Sequence, residues 1–404
     1  MLPSLDTKPR EMDDGTRITE EVEKFLRAAR SSDAAVCAEM LAANPRLINC
    51  VEAGGFCALH FSAFNGDIPL MKLLFRFHPD LQLTNYDGNT PMMMAAKGHQ
   101  IESIKLLANA GADVNFQTSS GATAAHFAAS MGYVDVVRCL ISLGAKAVHD
   151  RFPAGSLLHW AAHSGDVACI AAMLYDFNIP VDIKDSHGGT ALFTALFMKK
   201  GEVVQFLLEH GANPNTTIEG DLSAPLHIAV EHGNVDDVKI LLAFGANTQA
   251  TNSDGESPVA LAEKGSKSAA LRELLKPTPS KEKRLEDAAR FKAHGNRVYQ
   301  DGEWHKAAKF YSLAIQNEPL NHLYFSNRAA CYFSQKYYLG AWADSCRCIV
   351  LSPGWAKGYF RKAATLHAMK ESQKAVEVLE EGLKLDSKND DLLTLREEIT
   401  KSSK

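Results

Sequence analysis

One phrase returns at a fixed interval through the first two thirds of the chain, and that interval limits the possible folds more than any local propensity. Asp87-Gly88-Asn89-Thr90-Pro91, Ser120-Gly121-Ala122-Thr123-Ala124, His187-Gly188-Gly189-Thr190-Ala191 and Asp254-Gly255-Glu256-Ser257-Pro258 are versions of it. With residues 55, 155 and 222, their second positions fall 33 or 34 residues apart. Self-similarity at this period predicts stacked units, each burying an apolar face against its neighbour. An apolar helix follows each phrase, as in Leu59-His60-Phe61-Ser62-Ala63, Leu158-His159-Trp160-Ala161-Ala162 and Leu226-His227-Ile228-Ala229-Val230. A second helix then ends on glycine, at Gly111-Ala112-Asp113, Gly211-Ala212-Asn213 and Gly245-Ala246-Asn247. Glycine takes positive φ there and releases the chain into the next turn.

The pattern resembles ankyrin repeats over residues 18–276, about eight units with degenerate ends. Glu21–Arg30 and Ala34–Ala43 supply the helices of the first, and residues 255–275 read as a terminal cap. Leu222 replaces the usual turn glycine and His99 the usual interhelix glycine, so irregular junctions are expected at both.

From Ala288 the period becomes 34 residues with a different signature. Ala307, Ala341 and Ala375 recur at that spacing, as do Phe291, Phe325 and Tyr359, while Pro319 and Pro353 close successive units. Alanines let antiparallel helices approach, aromatics fill the groove between units, and proline stops a helix. These units resemble tetratricopeptide (TPR) repeats at 288–321, 322–355 and 356–389, followed by a capping helix with Leu392, Leu393, Leu395 and Ile399. The expected fold is all-α: two α-solenoids, an ankyrin array of helix pairs with short β-hairpin turns, then a three-repeat TPR array with its capping helix. The expected divisions are a tail at 1–17, ankyrin repeats at 18–276, a linker at 277–284 containing Pro277-Thr278-Pro279-Ser280, and a TPR domain at 285–402. A proline-containing spacer this short gives the two arrays restricted reach as distinct domains.

Charge is divided unevenly. The whole chain of 404 residues carries −5, yet residues 281–404 hold 21 Lys plus Arg against 16 Asp plus Glu, a surplus of five positive charges. Residues 1–280 are therefore acidic, and the basic part suits an anionic partner. No apolar run long enough for a spanning helix occurs, and the opening residues, with Asp6, Glu11, Asp13 and Asp14, match neither a signal nor a transit peptide. The cytosol is the expected address, with entry to the nucleus open. Eight scattered cysteines without a C-x-x-C pair read as reduced thiols.

Enzyme chemistry lacks its parts. There is no phosphate-binding Gly-x-x-x-x-Gly-Lys-Ser/Thr loop, dinucleotide fingerprint or Gly-x-Ser-x-Gly elbow. No cofactor or metal is expected. His159 and His163 are four apart on a helix, but His159 occupies the repeat phrase alongside His60, His126 and His227, where imidazole ties down a neighbouring turn.

The chemistry gathers in the TPR part. Counted within their 34-residue units, Lys292, Asn296, Asn327, Lys357 and Arg361 all project onto a stripe about 100° wide on the first helix of each unit. First helices line the concave wall of a solenoid. Three cations and two amides there, without a carboxylate at those positions, describe an anion site. Lys292 at one end and Lys357 with Arg361 at the other suit two carboxylates on one ligand, as at a C-terminal aspartate.

The segments Phe291-Lys292-Ala293-His294-Gly295-Asn296, Tyr324-Phe325-Ser326-Asn327-Arg328-Ala329-Ala330 and Lys357-Gly358-Tyr359-Phe360-Arg361-Lys362-Ala363 resemble carboxylate-clamp TPR domains of chaperone-organising proteins. The resemblance implies a groove for the acidic Glu-Glu-Val-Asp tail of Hsp70 or Hsp90. It assigns Lys292, Asn296 and Asn327 to the terminal carboxylate and Lys357 with Arg361 to the last aspartate side chain. Nucleic acid fits less well, because the cations are few and not interleaved with exposed aromatics. Ankyrin geometry puts Phe64, Asn65, Lys97, Ser130, Met131, His163, Ser164, Phe197, Met198, Glu231 and His232 on the exposed side of the first helices. An unknown protein partner is expected there. A co-chaperone adaptor and a signalling or assembly scaffold holding another acidic C-terminus both accommodate these features.

Overall fold

A computed structural model describes residues 20–147, 155–264, 269–275 and 281–402, and every assigned element among them is helical. The tail at 1–17 and linker residues 277–280 lie outside the described residues. Two compact units divide between Cys169 and Ile170.

The first unit contains α1 (Glu20–Arg30), α2 (Ala34–Ala43), a 3-10 turn at Pro45–Asn49, α3 (Ala58–Asn65), α4 (Ile68–Phe75), α5 (Pro91–Lys97), α6 (Ile101–Asn109), α7 (Ala124–Ser130), α8 (Val134–Ser142) and α9 (Leu157–Ser164). Two starts have a clear local cause. At α4, Asp67 accepts the Leu70 N–H at 3.0 Å and proline occupies the first turn. At α5, Thr90 caps the Met93 N–H and Pro91 sets the first φ. The hairpins between pairs have contracted to turns, closed by bonds such as Asn85 N–H to Asn89 O at 3.0 Å and Thr118 N–H to Ala122 O at 2.9 Å.

Histidine joins one repeat to the next. The Nδ1 of His60 accepts the Cys57 N–H at 3.1 Å, so its proton sits on Nε2, which donates to Asn89 O at 2.9 Å. His126 repeats the arrangement with Thr123 N–H at 3.2 Å and Gly155 O at 3.2 Å. Only a neutral ring can accept and donate in this way. Burial lowers His60 from 6.5 to about 4, against the opposing pull of its backbone bonds. The unfolded chain therefore takes up the proton first: this contribution is complete above about 6.5 and drains away as pH falls toward 4. His60→Asn is expected to flatten the fall in thermal midpoint over that range, and an unchanged slope would refute this role.

Of two departures from glycine, His99 keeps the usual junction, whereas the turn at Leu222 is one residue longer: Ile218 N–H reaches Ser223 O at 3.2 Å, five residues on, where the turns at Asn85 and Thr118 close over four. His99 takes φ 59° and keeps the left-handed joint, stacked on Tyr133 at 4.2 Å between centroids and paired with Asp135 at 2.8 Å. Leu222, in the second unit, takes φ 57° with its side chain exposed. Such a conformation costs a non-glycine residue about 1–2 kcal/mol. The contacts of His99 offset that cost locally.

The second unit starts within α10 (Val167–Tyr175). It continues with α11 (Ala191–Phe197), α12 (Gly201–Glu209), α13 (Pro225–His232), α14 (Val235–Ala243), α15 (Pro258–Lys264) and α16 (Ala269–Leu274). The longer helices follow: α17 (Lys281–Gln300), α18 (Trp304–Asn317), α19 (His322–Ser334), α20 (Tyr338–Leu351), α21 (Ala356–Ala368), α22 (Ser372–Leu385) and α23 (Asp390–Ser402). The 34-residue alanines Ala307, Ala341 and Ala375 are fully buried, as small residues between crossing helices must be. Leu392, Leu395 and Ile399 of α23 pack into the cluster containing Ala363, Leu366 and Leu379 and close the stack. Each such side chain contributes about 1.5–3 kcal/mol of burial.

The core of this unit runs on from the shorter helices into the longer ones. Tyr175 and Phe206 pack against the cluster of Trp342, Ala343 and Cys346, while Phe244 packs against Phe325 and Cys348. Arg328 of α19 sits at the centre of this contact, 3% exposed. It grips Asp344 of α20 with Nε at 2.8 Å and Nη2 at 2.7 Å, Ser312 of α18 with Nη1 at 2.8 Å, and Glu209 of α12 with Nη2 at 2.6 Å. Gln205 donates to the other Glu209 oxygen at 2.8 Å. Burial works against the guanidinium charge, but Asp344 and Glu209 more than offset it and hold Arg328 protonated. One side chain thus ties four helices together.

Candidate functional site

Lys292 and Asn296 lie one turn apart on α17, and Lys357 and Arg361 one turn apart on α21. Asn327 stands on α19 between them in chain order, and α19 packs against α21. The three helices are the first members of their respective pairs, as the period requires.

Asn327 Nδ2 donates to Asn296 Oδ1 at 3.4 Å, which joins the amide positions of α17 and α19. The Tyr311 hydroxyl of α18 donates to the same oxygen at 2.7 Å. Burial raises Tyr311 far above physiological pH, so the hydroxyl keeps its proton and remains a donor. With both lone pairs of Oδ1 engaged, Asn296 can offer a ligand only its Nδ2 hydrogens. Gly295 makes the approach of Tyr311 possible, since a Cβ there would stand 2.9 Å from the ring. Sequence reading quoted Gly295 without this role and missed Tyr311, because a hydroxyl on the second helix of a pair falls outside a stripe defined on first helices.

The cations are uncommitted. Lys292, Lys357 and Arg361 form no ion pair among the described residues, and the partly buried Arg361 keeps an Nε without a hydrogen-bond partner. Arg328, next to Asn327 in the chain, is the contrast: its charge is consumed by Asp344 and Glu209. The stripe therefore offers amide hydrogens and positive charge with no internal anion to satisfy them.

The proposed ankyrin surface residues are placed unevenly. In the first unit Phe64, Asn65, Met131 and His163 are exposed. Lys97 is half-buried, donating to Asn89 Oδ1 at 3.1 Å and lying 4.0 Å over the Phe127 ring, so much of its bonding capacity is spent inside the array. Burial lowers its pKa accordingly. Ser130 and Ser164 turn back to the Phe127 and Ala161 carbonyls at 2.8 and 2.7 Å. In the second unit Phe197, Met198, Glu231 and His232 are exposed, with the Phe197 and His232 rings 6.0 Å apart. His159 is buried with its Nδ1 on the Ser156 N–H at 3.1 Å, which gives it the joint-forming position.

A family model of ankyrin repeats in three copies matches residues 25–118, 59–151 and 147–218, and one of ankyrin repeats in many copies matches 207–262. The chain is an ankyrin-repeat protein. Among curated proteins, this ankyrin-repeat protein is similar to the heat shock protein sti1 homolog of Schizosaccharomyces pombe, 41% identical over 106 residues, 26% of this chain and 18% of that one. It is also similar to an Hsp70-Hsp90 organising protein of Plasmodium falciparum, 36% identical over 107 residues, 26% of this chain and 42% of that one. The chain thus spans less than half the length of these relatives. Among solved structures, the human ASB11 ankyrin repeat domain matches with a TM-score of 0.48 at 30% identity, covering 55% of this chain and 99% of that one. After the array come longer helices, from α17 to α22, in pairs that follow the 34-residue spacing of tetratricopeptide repeats. No helix among the described residues is long and apolar enough to cross a membrane.

Proposed function

We propose that the protein is a cytoplasmic, non-enzymatic adaptor. Its TPR groove, within a domain at 285–402, takes the acidic C-terminal peptide of an Hsp70- or Hsp90-type chaperone, while the ankyrin array at 18–276 takes a client or second protein. The reading rests above all on the doubly engaged Asn296 Oδ1, which turns the amide toward use as a donor in a stripe where Lys292, Lys357 and Arg361 have no anion. Asn296, Asn327 and Lys292 hold the terminal carboxylate, and Lys357 with Arg361 the aspartate side chain. Similarity to proteins named for organising Hsp70 and Hsp90 supports the choice of partner.

Each charge-assisted bond contributes about 1.5–3 kcal/mol net, and ordering an extended peptide consumes part of the total. Binding on the order of micromolar follows. The test is calorimetric titration of the full chain with a peptide ending Glu-Glu-Val-Asp, as the free acid and as the C-terminal amide. The free acid is expected to bind at least about tenfold more tightly, since the amide removes one of the two anions. Equal binding of both forms would sink the proposal. A steep loss of affinity with salt that is indifferent to the free carboxylate would point to phosphate recognition instead.

A further inference from the structure

We infer that Glu209, on an ankyrin-array helix, is a positioning residue for α19: acting through Arg328, it fixes the rotation of the helix that presents Asn327. The consequence for ligand uptake rests on the functional reading above, while the fixing of α19 does not.

Successive residues on a helix diverge by about 100°, so α19 cannot turn Asn327 without also moving Arg328. Asn327 reaches the Asn296 amide, and Arg328 is anchored elsewhere, on Asp344, Ser312 and Glu209. Asp344 and Ser312 belong to helices of the same TPR array, and they alone would let α19 settle wherever that array relaxes. Glu209 does not belong to it. Its Oε2 takes the Nη2 hydrogen that Asp344 leaves over, its Oε1 is held by Gln205, and its carboxylate is 4% exposed. Oriented from both ends, this anion is a fixed point against which α19 is set.

The surroundings repeat the same linkage. His210, the next residue, packs its ring on Phe206 at 3.9 Å between centroids and meets the Phe325 ring of α19 at 6.2 Å, while its Nδ1 is hydrogen-bonded to the Tyr175 hydroxyl. Phe325 lies one residue before Ser326 and two before Asn327. Gly211 closes the approach: its φ is +102°, and a Cβ would stand 3.0 Å from Arg347 Nη1. The glycine that ends an ankyrin helix here also admits an arginine of α20.

The experiment uses the full chain with Glu209→Gln, which keeps the volume and an acceptor but removes the charge, Glu209→Ala, and Glu202→Ala on the exposed side of the same helix. Hydrogen exchange of the α19 amides is expected to quicken several-fold in Glu209→Gln and further in Glu209→Ala, with α5 amides and the Glu202→Ala protein unchanged. The free-acid peptide should bind about threefold to tenfold more weakly to Glu209→Gln, measured well below the unfolding midpoint, where a merely stabilising residue would leave affinity alone. The inference is overturned if α19 exchange and peptide affinity in Glu209→Gln stay within twofold of the unsubstituted chain, or if Glu202→Ala disturbs α19 as much. Should Glu209→Ala fail to fold, Glu209→Gln decides. If the unsubstituted chain ignores the peptide, the functional reading falls and exchange at α19 still judges the role of Glu209.

Discussion

Asp344→Ala is expected to cost about 3–5 kcal/mol of stability, because it leaves the Arg328 guanidinium buried with its bidentate partner gone. The magnitude comes from what remains. Asp344 is 1% exposed and accepts from both Nε and Nη2, whereas Glu209 takes a single Nη2 hydrogen. Water cannot replace a lost acceptor in a contact walled by Tyr332 and Phe325, whose rings lie 5.7 and 5.6 Å from the guanidinium carbon. Replacing Arg328 with methionine, Asp344 with leucine and Glu209 with glutamine together should recover most of the loss, since all three buried charges then disappear and none is left uncompensated. Urea unfolding of the three proteins checks this. A single substitution within about 1 kcal/mol of the unsubstituted chain would mean that Arg328 finds another anion.

The second large effect concerns the ligand. Arg361→Ala is expected to weaken the Glu-Glu-Val-Asp peptide about tenfold or more, and Lys292→Ala with Arg361→Ala to bring it near the limit of detection, since one cation is removed for each carboxylate. Neither residue is in an ion pair among the described residues, so stability should hardly change, and the circular dichroism melt serves as the control. A double variant that binds as the parent does would remove the clamp.

Much of this was legible because repetition writes itself into the sequence. The alanines at 307, 341 and 375 are buried as their spacing implied, and the histidines of the ankyrin phrase hold turns as expected. The irregularity expected at Leu222 is present, in a turn one residue longer than its counterparts, while the one expected at His99 is not, since His99 adopts the left-handed geometry that glycine would take. The proposed stripe could be read from the period because all five side chains sit on first helices. What could not be read belongs to no period. Arg328 stands beside Asn327 in a segment that reads as groove, and its partner Glu209 lies 119 residues away in a repeat of another type. Nothing in local hydrophobicity marks either as a buried ion. The Tyr311 hydroxyl escaped for a related reason, since periodicity assigns tyrosine a packing role and leaves the direction of its O–H unspecified.

The histidine joints bear on how such a chain can change over generations. Where a junction is made by an imidazole between a backbone N–H and a backbone carbonyl, as at His60, His126 and His227, a whole repeat can be duplicated or lost by recombination and the new neighbours will still fit. The repeat carrying Glu209, His210 and Gly211 is not exchangeable in that way, because its far side is shaped to Arg328 and Arg347. Length variants of this architecture should therefore gain or shed units upstream and keep that one in place.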